Sequence, residues 1–160
     1  MNIEIINGIN EPKEICELFK EYTDMLCEND PSFKYYLDLQ NYDDELNDLS
    51  HKYGYPNGRI FLVKSGDKIL GCIGIKYFDE NVCEMKRLYV RPEARGLGLG
   101  EKLVKLSLDE AKKIGYKYMK LDTLPFLNSA LNLYKKLGFY EIEKYNESPM
   151  DTSIFLCYDL

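Results

Sequence analysis

Apolar residues recur along the chain with two periods, and the change between them marks the predicted elements. From Asn10 to about Cys27 they recur every three or four residues, which predicts one face of a helix. Asn10 is the predicted N-terminal cap of this helix, and Pro12 lies in its first turn. Two more helices are predicted at residues 99–114 and 128–137, each followed by a glycine suited to the C-terminal end. Residues 31–52 predict shorter helical pieces, which the sequence YGYPNG (residues 53–58) ends.

Alternating apolar and polar positions, with period two, predict the strands. Turn signals at Ser65-Gly66-Asp67 and Asp79-Glu80-Asn81 divide the central part of the chain into hairpins. Because a helix pattern separates residues 82–90 from the next strand, that pair is expected to be parallel with a right-handed crossover. The sequence therefore predicts one α/β domain over residues 1–160, with a mixed, mostly antiparallel central sheet flanked by helices. The predicted strands are 2–6, 59–64, 68–78, 82–90, 116–123, 139–144 and 153–160.

Composition narrows the functional classes. The chain has 160 residues, of which 45% are hydrophobic and 30% charged, and this is typical of a globular protein. The formal net charge of −6 argues against nucleic acid as a partner and weakly favours cationic substrates. No apolar run approaches a membrane span, and no signal peptide is recognised, so a cytoplasmic protein that does not bind a membrane is expected. Five scattered cysteines and one histidine, His51, make a metal site improbable and predict reduced, mostly buried thiols.

The segment RGLGLG, residues 95–100, contains the clearest chemical signal. Its three glycines lie between a predicted strand and the start of a predicted helix. The first N–H groups of a helix have no partners within the helix, so a phosphate can approach them where side chains are absent. Arg95 adds a cation. The spacing fits neither a P-loop nor the dinucleotide pattern GxGxxG. A tight turn alone would need one glycine, so we favour a pyrophosphate site.

The same segment resembles the acetyl-CoA signature R/Q-x-x-G-x-G/A of the GCN5-related N-acetyltransferases, the GNAT superfamily. EMKRLYVRPEARG resembles the family's fourth strand and the loop after it, and NSALNLYKKLGF (residues 128–139) resembles a second family segment. The resemblance is close over residues 59–145 and implies a small, single-domain bacterial-type member with splayed central strands. It implies that acetyl-CoA is the acetyl donor and that no metal takes part.

The resemblance also implies roles for individual residues. The pantetheine arm would pair with backbone groups of Leu88 and Val90, and the Val90 amide could polarise the thioester carbonyl. The Asn128 side chain would bind the pantetheine arm, or it could instead cap the helix. Backbone amides of the remaining cofactor-binding residues would hold the pyrophosphate: Arg95, Gly96, Leu97, Gly98, Leu99 and Gly100.

Two catalytic residues are implied in the same way. Tyr134 matches the family tyrosine near the CoA sulfur, where a phenol can protonate the leaving thiolate; the alternative is that it only packs in the core. Glu84 lies where some members place a general base, and the alternative is a solvated or ion-paired strand residue near Lys86 or Arg87. His51 is a weaker candidate, expected at the surface, and Cys83 is not expected to be a nucleophile.

The expected function is transfer of an acetyl group from acetyl-CoA to the primary amine of a small molecule by direct attack. A peptide or protein amine is the alternative acceptor. A non-catalytic acetyl-CoA sensor is the alternative from a different functional class. A homodimer is possible. The sequence does not identify the acceptor, because function depends on the site rather than on the fold.

Overall fold

A computed structural model of the chain describes residues 2–160; Met1, the first residue of the predicted domain, lies outside them. The helices and strands follow one another in the order that the periodicity predicts. The helices are α1 Pro12–Asn29, α2 Phe33–Leu39, α3 Tyr42–Asn47, α4 Leu49–Tyr53, α5 Leu99–Ile114 and α6 Asn128–Leu137. The strands are β1 Glu4–Asn7, β2 Arg59–Ser65, β3 Lys68–Tyr77, β4 Val82–Val90, β5 Tyr118–Thr123, β6 Tyr140–Ile142 and β7 Ile154–Asp159.

The strands form one seven-stranded sheet in the order β1-β2-β3-β4-β5-β7-β6. Every neighbouring pair is antiparallel except β4 and β5, which are parallel, so the predicted mixed sheet is confirmed. Each face of the sheet has its own core. On one face, α5 packs through residues such as Leu103 and Val104; on the other, α1 packs through Leu18 and Phe19.

The parallel strands β4 and β5 separate soon after they meet. They pair only from Val82–Tyr118 to Glu84–Lys120, although β4 continues to Val90. A bulge lies in the part of β4 that does not pair with β5, where Arg87 and Leu88 together stand opposite one residue of β3. Arg87 has a φ of 61°, an unusual value for a non-glycine residue, and bulges of this kind redirect the strand. The separation opens the sheet between β4 and β5.

Some predicted boundaries differ from the structure. The Asn10 cap is wrong: α1 begins at Pro12, and Asn7 instead caps a short 3₁₀ turn by accepting a hydrogen bond from the Ile9 N–H. The predicted strand 139–144 is shorter, because pairing with β7 stops at Ile142. Beyond it the chain turns over the sheet, and the Tyr145 hydroxyl donates to Glu84.

A buried ion pair holds the bulge against the helices α3 and α4. Glu45 accepts hydrogen bonds from the Arg87 Nε at 3.0 Å and from the Lys52 Nζ at 2.8 Å. Burial alone would raise the pKa of Glu45, but these two cations lower it from 4.5 to about 2. A carboxylate with a depressed pKa stabilises the fold above its unfolded pKa, and this contribution is lost as the pH falls through the folded value.

We therefore predict that Glu45 contributes to stability at neutral pH and loses that contribution between about pH 4.5 and pH 2. Urea unfolding of the wild type and of Glu45→Gln across this range measures it. The wild type should be the more stable protein at neutral pH, and the difference should shrink in acid because only the wild type loses a charge at this site. A constant difference at every pH would contradict the assignment.

Candidate active site

A cleft of about 410 Å³ lies where β4 and β5 separate. It is lined by residues of α1, β4 and α6 and by Arg95 of the glycine loop. The structure thereby brings together five of the predicted site residues, which are distant in sequence. They are Leu88, Val90, Arg95, Asn128 and Tyr134.

The backbone of β4 presents to this cleft hydrogen-bonding groups that no neighbouring strand pairs. The Arg91 N–H donates to the Leu70 carbonyl at 2.8 Å, so those two residues form a hydrogen-bonded pair of the antiparallel ladder. Along an antiparallel ladder, hydrogen-bonded pairs alternate with pairs that make no hydrogen bonds to each other. Val90 is next to Arg91, so its N–H and C=O point away from β3 and toward β5. Since β5 does not pair with β4 at this level, the strand edge is open to an extended ligand. The Arg95 Nε already donates to the Val90 carbonyl at 3.2 Å.

The loop that precedes α5 forms a second group of free donors. The backbone N–H groups of residues 96–101 donate no hydrogen bond to any atom of residues 2–160. Gly96 and Gly98 have φ angles of 85° and 73°, and an added Cβ at either would meet open space. Gly100 has no such φ, and its Cβ would lie 3.5 Å from Leu133. Two of the glycines are thus required by the turn, and all three leave the helix N-terminus accessible to an anion.

Tyr134 borders the cleft from α6. It is 5% exposed, packs against Phe139 with ring centroids 5.6 Å apart, and its hydroxyl makes no hydrogen bond within the described chain. Burial raises the pKa of Tyr134 well above its usual range. The phenol therefore stays protonated at physiological pH, and its hydroxyl is free to donate a hydrogen bond to a ligand in the cleft.

Asn128 is the first residue of α6, and Leu127 occupies the cap position without a side-chain cap. The alternative that Asn128 caps the helix is therefore wrong. Its side chain is exposed at the edge of the cleft and forms no hydrogen bond within residues 2–160. Its amide is free to bind a ligand, although that role stays a prediction.

Glu84 does not line the cleft. It is 5% exposed and accepts hydrogen bonds from the Tyr145 hydroxyl at 2.5 Å and from the Asn146 side chain at 3.3 Å. The alternative of a solvated or ion-paired residue is wrong, since no cation lies within salt-bridge distance among the residues described. Asn146 also donates to Asp122 at 2.9 Å, which links the two carboxylates.

Asp122 was missed by the sequence analysis. It lies near the end of β5, accepts hydrogen bonds from Tyr36 and Asn146, and lines a narrow cavity of about 30 Å³. This cavity shares Tyr22 and Leu127 with the larger cleft, so the two adjoin. An acidic residue near the carboxyl end of a strand that borders the opening was the available signal.

The remaining candidates, His51 and the cysteines, lie outside the cleft. His51 is exposed on α4, and all five cysteines are free. Cys83 is buried, and this burial raises its pKa to about 12, which argues against a nucleophilic thiolate. Within residues 2–160, no cluster of three possible metal ligands is found, and no helix is long and apolar enough to cross a membrane.

Comparison with known proteins decides the family. The sequence model of the acetyltransferase (GNAT) family matches residues 14–139. The chain belongs to the GNAT family. It is therefore an acyltransferase, and the resemblance seen in the glycine loop and in α6 is confirmed. An uncharacterised N-acetyltransferase of Schizosaccharomyces pombe is 46% identical over 123 residues, which cover 75% of each chain.

Solved structures of GNAT proteins share the fold. An acetyltransferase from Streptococcus agalactiae superposes with a TM-score of 0.79 at 19% identity, over 99% of this chain and 98% of that one. The PaiA N-acetyltransferase of Thermoplasma acidophilum, solved in complex with coenzyme A, superposes with a TM-score of 0.77 at 18% identity, over the full length of both chains. At these identities the likeness establishes the fold, and the acceptor has to be argued from the site.

Proposed function

We propose that this GNAT protein transfers the acetyl group of acetyl-CoA to the primary amine of a small molecule by direct attack. One observation supports this most strongly: a single cleft brings together the open edge of β4, the Tyr134 side chain and Arg95, which is the first residue of the loop whose free backbone amides lead into α5. The strand edge would bind the pantetheine arm of CoA, the free amides would bind the pyrophosphate, and the Tyr134 hydroxyl would lie near the sulfur. The coenzyme A complex of the Thermoplasma relative supports the choice of donor.

The proposed chemistry assigns one task to each group. The amine nitrogen attacks the thioester carbon, and the Val90 N–H stabilises the developing oxyanion. The C–S bond then breaks, and the thiolate takes a proton from the Tyr134 hydroxyl. The nitrogen becomes positively charged in the attack and gives its proton to a carboxylate; exchange with solvent then returns the carboxylate to its charged form and Tyr134 to the phenol. We assign this step to the pair bridged by Asn146, in which Asp122 faces the cavity and Glu84 lies behind it.

The narrow cavity favours a small acceptor over a protein segment. Its volume of about 30 Å³ corresponds to roughly two water-sized groups. A polar head group of a few atoms fits that space, whereas a folded protein surface would have to engage the wider cleft that the CoA arm also needs. The non-catalytic sensor has no comparable support, because it requires neither a protonated tyrosine nor a carboxylate in the cavity.

The donor half of the proposal predicts stabilisation by acetyl-CoA. A ligand that binds only the folded state raises the melting temperature by mass action, here by several degrees at a hundredfold excess over the dissociation constant. Thermal unfolding with and without acetyl-CoA measures this, and adenosine at the same concentration is the control. An unchanged melting temperature at millimolar acetyl-CoA would contradict the proposed cleft.

A further inference from the structure

Two separate hydrogen-bonded groups border the narrow cavity beside the cleft, and they have opposite charge. One contains Lys86, Arg87 and Gln40; the other contains Asp122 and Tyr36. Glu84 and Asn146 extend the second group behind the cavity wall. Nothing in the proposed acetyl transfer requires the positive group, so its purpose needs a separate explanation.

The positive group contains a cation without a counter-ion. Lys86 is 7% exposed, and no carboxylate of residues 2–160 lies within 4.0 Å of its ammonium group. Its hydrogen bond is to the Gln40 Oε1 at 2.7 Å, an oxygen that also accepts from the Arg87 Nη2 at 3.0 Å. Arg87 is already paired with Glu45. A buried ammonium with spare N–H groups is costly unless something pairs with it.

Gln40 adds an unused donor at the same place. Its side-chain nitrogen Nε2 is buried and has no hydrogen-bond partner among the described residues. The amide cannot rotate to exchange its nitrogen and oxygen, because its oxygen accepts from two cations. An unpaired buried N–H group costs free energy that a ligand oxygen would recover. Gln40 and Lys86 line the same cavity, and each has N–H groups that a carboxylate oxygen could accept.

The negative group is unpaired in the same way. Asp122 accepts from the Tyr36 hydroxyl and from Asn146, both neutral, and no cation lies within salt-bridge distance of it in the part of the chain described. Lys86 and Asp122 line one cavity and yet do not form a salt bridge. A ligand with a positive and a negative end would pair with both.

We propose that the acceptor amine also bears a carboxylate, so that the substrate class is a free amino acid. Its carboxylate binds Lys86 and Gln40, and its ammonium group lies against Asp122 before the proton is lost. This inference rests on the proposed function, since it names the acceptor of that same transfer. The two oppositely charged groups border the same small cavity, whose other lining residues include the apolar Leu26 and Phe33.

Matched acceptors test the proposal on the wild-type enzyme. Methionine, methioninamide and 3-(methylthio)propylamine share one apolar side chain but differ at the carboxylate. We expect a kcat/KM for methionine at least tenfold above that for either analogue, the low end for a hydrogen bond to a charged group. A dipeptide that begins with methionine should behave like methioninamide, because the carboxyl group of its first residue forms the peptide bond and carries no charge. Similar values for all four acceptors would overturn the proposal and leave acetyl transfer intact.

The variant Lys86→Met tests the assigned residue. It should reduce kcat/KM for methionine at least tenfold and leave that for 3-(methylthio)propylamine within a few-fold, so the preference is lost. Lys113→Met, a change of the same kind at an exposed position on α5, should keep the preference. A preference unchanged in Lys86→Met would overturn the role of Lys86. If acetyl-CoA binds but the wild type acetylates none of the acceptors or any other amine, the proposed function itself fails, and the amino acid proposal fails with it.

Discussion

Gly98→Asp should weaken the binding of coenzyme A by roughly thirtyfold or more, about 2 kcal/mol. Gly98 precedes the first turn of α5, beside backbone N–H groups that have no partner in the described chain. The new carboxylate would lie where we place the pyrophosphate and would compete for the same N–H groups. Isothermal titration of the folded variant with coenzyme A measures the change.

Gly98→Asn is the matched control for that experiment. Gly98 has a φ of 73°, which strains most side chains, but Asn and Asp tolerate this region better than other residues. The two variants have nearly the same shape and comparable backbone strain, so the difference between their affinities isolates the negative charge. Equal losses of affinity in both would mean that the glycine serves only the turn and that the pyrophosphate binds elsewhere.

Tyr134→Phe should slow the chemical step about a hundredfold, the low end for general acid catalysis, and leave acetyl-CoA affinity within a few-fold. The hydroxyl has no partner within residues 2–160, so its loss leaves no buried group unsatisfied. Its benefit arises when negative charge develops on sulfur, which happens in the transition state rather than in the bound thioester. Single-turnover kinetics with the best acceptor separate this step from product release.

Tyr158→Phe is the control for this substitution. Tyr158 lies on β7, packs against Phe139 with ring centroids 5.2 Å apart, and its hydroxyl is likewise without a hydrogen bond in the described part of the protein. The Tyr158→Phe enzyme should carry out the chemical step at the wild-type rate. A Tyr134→Phe enzyme with an unchanged rate for the chemical step would show that Tyr134 is a packing residue and that solvent protonates the thiolate.

Periodicity located the elements whose packing is local and regular. The bounds of α5, α6 and β4 agree with the sequence prediction, because a glycine follows each of the two helices and Pro92 lies two residues after the end of β4. The cap was wrongly assigned to Asn10 because two asparagines, Asn7 and Asn10, precede the helix. Their spacing in the sequence does not show which side chain lies beside free backbone N–H groups.

The site was predictable where a motif defined it. The glycine loop and α6 have local signatures, and the structure brings Arg95, Asn128 and Tyr134, which those signatures singled out, to one opening; their roles stay predictions. The cavity beside it was not predictable, because it depends on contacts between residues far apart in sequence. Gln40 meets Lys86 and Arg87 only through the folding of α2 over the sheet, and no pattern in a single sequence records that contact.

Amine-dependent release of coenzyme A is the most direct test of the central claim. The wild-type enzyme is incubated with acetyl-CoA and a panel of small amines, and free thiol is measured together with the mass of the acceptor. We predict that at least one amine accelerates thiol release and gains one acetyl group, and that Gly98→Asp reduces this rate at subsaturating acetyl-CoA. Tight binding of acetyl-CoA with no acetylated product from any amine would contradict the account and favour a sensor.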